Sequence, residues 1–273
     1  MKNYAYVTLL TDNSYSNGVA LLQYSLQKTS SIYPLVCLVT EEVSEDIVIL
    51  LNKIGVTTLL VNTIFYEQLF LHNKKVIGEE QAKIWRNTMT KLNIFRMTGY
   101  DKIVFLDADT YINRNIDHLF LYPHMTAAQD VSGFYHNHFL LNSGLLVVEP
   151  EKREFDNIIN FTNSLLQNDL DRYDTLADQD IINLYFCNWK TQYECQLGDL
   201  YNIHAPFLGI EYTECCKIPR NYLIKNSYVF HFIGKNKPWT VDLYQVKELQ
   251  FIIEEMKQIQ TILLKILEED LND

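Results

Sequence analysis

Lys102-Ile103-Val104-Phe105-Leu106-Asp107-Ala108-Asp109-Thr110 is an apolar run that ends in two carboxylates separated by one residue. An unbroken run of this kind is what a strand covered on both faces of a parallel sheet requires, because neither face meets water. The carboxyl ends of such strands are where open α/β sheets take their ligands. In an extended chain, positions i and i+2 share a face, so the two carboxylates can converge on one hard cation. The competing reading is a polar strand cap leading into a turn. The rest of the chain has to choose between them.

Upstream, Tyr4–Leu10 is a strand candidate followed by a polar loop over 11–18 and helical spacing over 19–27. Strand, polar loop and helix make the opening unit of a nucleotide-binding half-fold. It carries no G-x-G-x-x-G and no G-x-x-x-x-G-K, which argues against a dinucleotide cofactor and excludes a P-loop. Residues 34–40 and 56–61 are further strand candidates. Between them Ser44 is expected to cap a helix with Glu45 and Asp46 in its first turn, and Gly55 to end it. Strands alternating with helices predict a doubly wound, mostly parallel sheet with helices on both faces.

Residues 74–80 are polar and are expected to be mobile. Residues 85–98 predict a helix with Met89, Leu92 and Phe95 on one face and Gly99 as its stop. Past the Asp107 strand, the apolar run 138–148 is interrupted by Asn142-Ser143-Gly144, which by itself suggests a turn. Helices are expected over 151–168 and from 178 to 186, and 201–241 is irregular and aromatic. From 242 to 269, Val246, Leu249, Ile253, Met256, Ile259, Leu263 and Ile266 recur at three and four, which predicts one long amphipathic helix. Its stripe is expected to pack on its own domain, with a homodimer as the alternative. No repeat or linker appears, so one domain spanning 1–273 is the economical reading.

The chain has 273 residues and a formal net charge of -11. That balance argues against a nucleic-acid binder, which needs a basic stripe. Any anionic ligand must then be met by local positive charge or by a metal. The five cysteines are odd in number and lack C-x-x-C spacing, as expected of reduced thiols in a cytoplasmic protein. No secretory leader is expected from its opening residues, and no apolar run reaches the ~18 residues of a membrane helix.

A second compact feature is His231-Phe232-Ile233-Gly234-Lys235-Asn236-Lys237-Pro238-Trp239. Gly234 allows backbone amides to approach a phosphate, and Lys237 can set an ammonium on it. Asp107, Asp109 and His231 together would form a mixed oxygen and nitrogen site. That donor set suits manganese(II) better than calcium, whereas zinc sites more often include thiolates.

The chain resembles the glycogenin-type members of glycosyltransferase family 8, which have a GT-A fold. The resemblance rests on Tyr6-Val7-Thr8-Leu9-Leu10-Thr11, Thr88-Met89-Thr90-Lys91-Leu92 and Phe105-Leu106-Asp107-Ala108-Asp109-Thr110. Leu141-Asn142-Ser143-Gly144, Ala177-Asp178-Gln179 and the His231–Trp239 segment follow in the family's order. It implies that Asp107, Asp109 and His231 bind Mn(II) on the diphosphate of a UDP-sugar. Leu9, Thr11, Asp12 and Tyr15 would flank uracil and ribose, with Ala108 in the donor site. Gly234 and Lys237 would hold the diphosphate. Lys91 would reach the donor, and Asn142, Ser143, Asp178 and Gln179 would surround the sugar.

By the same resemblance, residues 1–110 form the nucleotide-binding half, 111–241 the sugar and acceptor half, and 242–273 a C-terminal helix. The implied activity is retaining transfer of a hexose, expected to be glucose from UDP-glucose, to a hydroxyl acceptor on a sugar or a tyrosine. Retention proceeds through a carboxylate nucleophile, for which Asp178 is the candidate, or by the favoured same-face attack. Catalytic roles fall to Asp178, Gln179 and Lys91. The chain departs from the family at Thr175, where glycogenins carry an aspartate, at Lys83 near a family arginine, and at Glu214, near the glycogenin acceptor tyrosine. Tyr212 is the nearest substitute. The alternatives are a galactosyltransferase of the galactinol-synthase kind, a non-catalytic UDP-sugar-binding scaffold and a haloacid-dehalogenase-type phosphatase. The last would want Thr or Val where Tyr111 stands.

Overall fold

The computed structural model describes residues 2–130, 140–208 and 217–270. Residues 138–139 of the expected apolar run, Tyr212, Glu214 and two of the five cysteines, Cys215 and Cys216, lie outside them. In chain order come β1 (Tyr4–Leu10), α1 (Ser16–Lys28), β2 (Leu35–Val39), α2 (Glu45–Lys53), β3 (Thr57–Leu60) and α3 (Glu67–Trp85). Next are a 3-10 segment (Thr88–Arg96), β4 (Lys102–Leu106), β5 (Thr110–Ile112), β6 (Thr126–Gln129) and β7 (Leu141–Val148). The chain continues through α4 (Lys152–Asn168), α5 (Asp178–Tyr185), β8 (Gln196–Leu197), β9 (Ile203–His204), α6 (Arg220–Asn226), β10 (Val229–His231) and α7 (Gln250–Asp270).

Among the described residues the main sheet has strand order β3-β2-β1-β4-β7-β6-β8. β3, β2, β1 and β4 are parallel, and β7 runs antiparallel between β4 and β6. All five residues of β4 are buried. They alternate between two cores. Ile103 and Phe105 face Ile158, Leu165 and Leu166 of α4, whereas Val104 and Leu106 face Val19, Leu22 and Leu26 of α1. Each such side chain contributes about 1.5–3 kcal/mol on burial. This double cover is why the strand carries no polar residue between Lys102 and Asp107. The chain thus has the α/β class expected, mostly parallel with helices on both faces.

A third core joins Ala20 and Leu21 of α1 and Leu50 of α2 to Ile252, Ile253, Met256, Ile259 and Leu263 of α7. The C-terminal stripe therefore packs on its own chain. Tyr111 donates to Glu255 at 2.8 Å, and Lys28 bonds both groups, closing α7 over β5.

Local structure departs from the sequence expectations where side chains capture the backbone. The helix expected over 85–98 is a 3-10 segment over Thr88–Arg96. Asn93 Nδ2 donates to the carbonyls of Thr90 (2.7 Å) and Asn62 (3.1 Å), competing with α-helical bonds. The polar stretch 74–80 lies within α3, which breaks at Gly78 (φ 80°, ψ 166°). Asn73, just before it, is buried and clamps the backbone of Leu176 in both directions, at 2.7 and 3.0 Å. The long helix starts at Gln250 rather than 242. Gln250 accepts from Tyr244 N and donates to Asp242 O, tying 242–249 into a compact lead-in. Asn142-Ser143-Gly144 is the buried interior of β7 rather than a turn. Ser44 precedes α2 as expected, but its hydroxyl accepts from Asn13 Nδ2 at 3.0 Å instead of capping the helix.

One polar anchor ties the edge of the core together. Asp117 accepts from the buried Tyr6 hydroxyl (2.7 Å), from Ser31 Oγ (2.6 Å), from Ile32 N (3.1 Å) and from Asn115 Nδ2 (3.2 Å). Burial would raise its carboxyl, but the bonds from Ser31 and Tyr6 outweigh it and hold the group below the usual range. Asp117→Ala is expected to lower stability at neutral pH by about 2 kcal/mol, since Tyr6 loses its acceptor. A carboxyl lowered on folding stabilises fully above its unfolded value of about 3.9 and loses that contribution as pH falls through the folded value. Urea unfolding of both proteins should therefore show their stability gap narrowing in acid.

Candidate active site

The Asp107-Ala108-Asp109 segment is a turn between β4 and β5, not a continued strand. Thr110 closes it by donating from N (3.1 Å) and Oγ1 (2.7 Å) to Asp107 O. The carboxylates thus converge through the turn instead of through a shared strand face. β10 pairs antiparallel with β5, which sets His231 opposite Thr110, and Phe232 N donates to Asp109 O at 2.9 Å. This register carries a residue distant in sequence onto the carboxylates. His231 Nε2 stands 3.0 Å from Asp109 Oδ1 and 3.7 Å from Asp107 Oδ2. One ligand atom from each of the three residues lies within 4.8 Å of the others. Two carboxylate oxygens and one imidazole nitrogen at that spacing are a donor set that fits a divalent cation.

Two lysines flank this triad. Lys91 Nζ reaches Asp107 Oδ1 (3.0 Å), Asp178 Oδ2 (2.7 Å) and Ser143 Oγ (3.0 Å), and its side chain is 8% exposed. Lys237 Nζ donates to Asp109 Oδ2 (2.5 Å) and Phe232 O (2.6 Å), and lies 5.3 Å over the Tyr15 ring. Burial would lower the Lys91 ammonium, but Asp107 and Asp178 outweigh it and raise it above its ordinary value. Burial raises the Asp107 carboxyl against the pull of Lys91 and His231. Burial acts the same way on Asp109, where His231 and Lys237 win and hold the group well below the carboxylate range.

The residues expected around the sugar form one connected layer. Ser143 Oγ donates to Asp178 Oδ2 (2.9 Å), and Ser143 N donates to Gln179 Oε1 (3.0 Å). Gln179 Nε2 donates to Asp130 Oδ2 (2.5 Å). Asn142 Oδ1 accepts from Gly144 N (2.9 Å) and Asn202 Nδ2 (2.8 Å). A Cβ on Gly144 would come 2.5 Å from His231 Cε1, so only glycine lets β7 pass this close to the imidazole.

Leu9, Thr11, Asp12 and Tyr15 stand at the carboxyl end of β1, the parallel neighbour of β4. Asp12 Oδ1 accepts from Ser14 N at 2.8 Å and so caps the turn that presents Tyr15. Tyr15 meets Trp239 edge-on at 5.6 Å. A Cβ on Gly18 would stand 2.3 Å from Ala108 O, so this glycine seats the start of α1 against the acidic turn. Gly234 is exposed and left-handed, at φ 79°.

Asp130, Asn202 and His204 escape a reading of the sequence. They are isolated polar residues in irregular surroundings, and only the pairing of β9 with β10 (His204 opposite His231) brings two of them to the site. Burial and the neighbouring His231 push the His204 imidazole down to about 3, which keeps it neutral.

This geometry can be set against known proteins. The model of the family described as glycosyl transferase family 8 matches residues 6–242. Glycogenin-1 of Caenorhabditis elegans is 31% identical over 236 residues, covering 86% of this chain and 50% of that protein. The chain thus spans half the length of that relative. Uncharacterized protein R707 of Acanthamoeba polyphaga mimivirus is 32% identical over 263 residues, covering 88% of this chain and 83% of that one. A solved complex of the galactosyltransferase LgtC with donor and acceptor sugar analogs aligns at TM-score 0.60 and 16% identity, over 93% of this chain and 94% of that one. That likeness shows a shared GT-A fold. Among the described residues no helix is long and apolar enough to cross a membrane. With the family model spanning most of its length, this chain belongs to glycosyl transferase family 8 and is a glycogenin-like glycosyltransferase.

Proposed function

We propose that the protein is a manganese-dependent, retaining hexosyltransferase that moves glucose from UDP-glucose to a hydroxyl acceptor. The observation that carries this reading is the meeting of Asp107, Asp109 and His231 within 4.8 Å at the carboxyl end of the sheet. A divalent cation held by these three groups would offset the negative charge that develops on a departing diphosphate.

Lys237 and Gly234 are suited to the diphosphate, and Leu9, Thr11, Asp12 and Tyr15 to the uridine. Asn142, Ser143, Asp178 and Gln179 would orient the hexose. Lys91, held between Asp107 and Asp178, would bring a further positive charge to the donor. Lys91 and Ser143 both engage Asp178 Oδ2, which weakens that carboxylate as a nucleophile and favours same-face attack. The glycogenin relatives support glucose; the galactosyltransferase LgtC, alike only in fold, supports galactose as the second reading.

The test is UDP release in the presence of Mn(II) from UDP-glucose and UDP-galactose separately, combined with intact-mass analysis of the protein. We expect faster release from UDP-glucose, abolished by chelator. Mass increments of one hexose would identify this chain as its own acceptor, and an unchanged mass would point to an external one. Absence of release from any UDP-hexose would overturn the proposal.

A further inference from the structure

The described layer holds a chain of hydrogen bonds whose direction is set at one end by the backbone. Gly144 N can only donate, so the Asn142 side-chain atom it meets at 2.9 Å must be the oxygen. That oxygen also faces the Asn202 side chain at 2.8 Å, so the Asn202 atom there must be its amide nitrogen. The other end of the Asn202 amide is then an oxygen, and it stands 3.2 Å from His231 Nδ1. An oxygen acceptor requires a proton on Nδ1. With its proton so placed, Nδ1 is not available to a cation, and Nε2 is the nitrogen left to face Asp109 and Asp107; without a cation, Nε2 at 3.0 Å from Asp109 Oδ1 is placed to share a proton with that carboxylate. Each orientation follows from the one before it, starting from a peptide group that cannot flip.

We infer that Asn202 is a positioning residue that holds a proton on His231 Nδ1 and so aims Nε2 at the cation site. The metal half of this inference rests on the function proposed above; the Nδ1 half does not. Asn202 is suited to the role because it is 2% exposed, so water does not compete for either end of its amide. It is also rigidly placed, one residue before β9, whose pairing with β10 sets the His231 backbone. A hydrogen-bonded partner on the non-ligating nitrogen both orients an imidazole and raises its basicity as a ligand. Asn202 also donates to Asn142, which the proposed function assigns to the hexose, but among the described bonds it reaches neither carboxylate, so its effect on the cation site passes through His231.

The experiment compares Asn202→Leu and Asn202→Asp with the unaltered protein. The leucine has similar size and no acceptor. The aspartate keeps an acceptor for Nδ1–H and gives up the donor to Asn142. Two-bond proton–nitrogen spectra of the metal-free protein should show a protonated Nδ1 in the unaltered protein and in Asn202→Asp. Asn202→Leu should lose the Nδ1 proton and keep the one on Nε2 that Asp109 accepts. Mn(II) titrated in the presence of UDP and followed by electron paramagnetic resonance should bind Asn202→Leu about 10–100-fold more weakly, with Asn202→Asp recovering most of the loss. An unprotonated Nδ1 in the unaltered protein, or equal Nδ1 protonation and Mn(II) affinity in Asn202→Leu, would overturn the inference. Loss of thermal stability without either change would show a purely structural residue and overturn it as well. If the unaltered protein shows the protonated Nδ1 but takes up no Mn(II), the proposed function fails while the positioning of the ring stands.

Discussion

Asp109→Asn should reduce Mn(II)-dependent UDP release by about 10³-fold or more, equivalent to roughly 4 kcal/mol of transition-state stabilisation. Both oxygens of Asp109 are committed, Oδ1 toward His231 Nε2 at 3.0 Å and Oδ2 to the Lys237 ammonium at 2.5 Å. An amide cannot serve both. Its nitrogen must face either the ammonium, which only donates, or the imidazole nitrogen needed for the cation. The site also loses one of its two negative charges, which weakens a divalent cation directly. Asp109 lies in a turn closed by the backbone and side chain of Thr110, so the fold should survive, and circular dichroism should be unchanged. Full activity in a folded Asp109→Asn protein would remove this residue from the site.

The second large effect falls on stability. Lys91→Ala leaves Asp107 and Asp178 facing each other without the ammonium that joins them at 3.0 and 2.7 Å. Removing one partner of a buried ion pair costs about 3–5 kcal/mol. For a chain of this size that is roughly a 10 °C fall in the thermal midpoint. Mn(II) with UDP should restore part of it by satisfying Asp107, and the donor concentration needed for half-maximal rate should rise.

The pH dependence of this contribution has a definite sign. The Lys91 ammonium is raised on folding, since its carboxylate neighbours outweigh burial. Its stabilisation is therefore complete below the unfolded value of about 10.4 and is lost only as pH climbs through the folded value. The difference between the two proteins should be full at neutral pH and shrink in strong alkali.

The parts of this molecule legible in the sequence are those governed by local pattern. β4 is apolar because both its faces are covered, and α1, α4 and α5 follow from their spacing. The acidic pair and the distant imidazole could be named because their chemical types suit one cation. How they meet could not be read from spacing. The carboxylates converge through a turn stapled by Thr110, and His231 arrives through β5–β10 register, a property of two strands far apart in the chain. Asn142-Ser143-Gly144 looks like a turn in sequence yet lies inside β7, because each of its polar groups finds a partner across the layer. Asn93 and Gln250 shifted element boundaries by the same means, through side chains that capture backbone groups. Asn202 gave no signal at all, since a lone asparagine beside a two-residue strand has no pattern to display.

The central claim is that two carboxylates and one imidazole close on a single cation that grips the nucleotide. Isothermal titration of Mn(II) into the protein with UDP present tests it most directly. The account predicts uptake of one Mn(II) per chain that depends on UDP and disappears in His231→Ala. Heat no greater than dilution in the unaltered protein, or equal binding by His231→Ala, would contradict it.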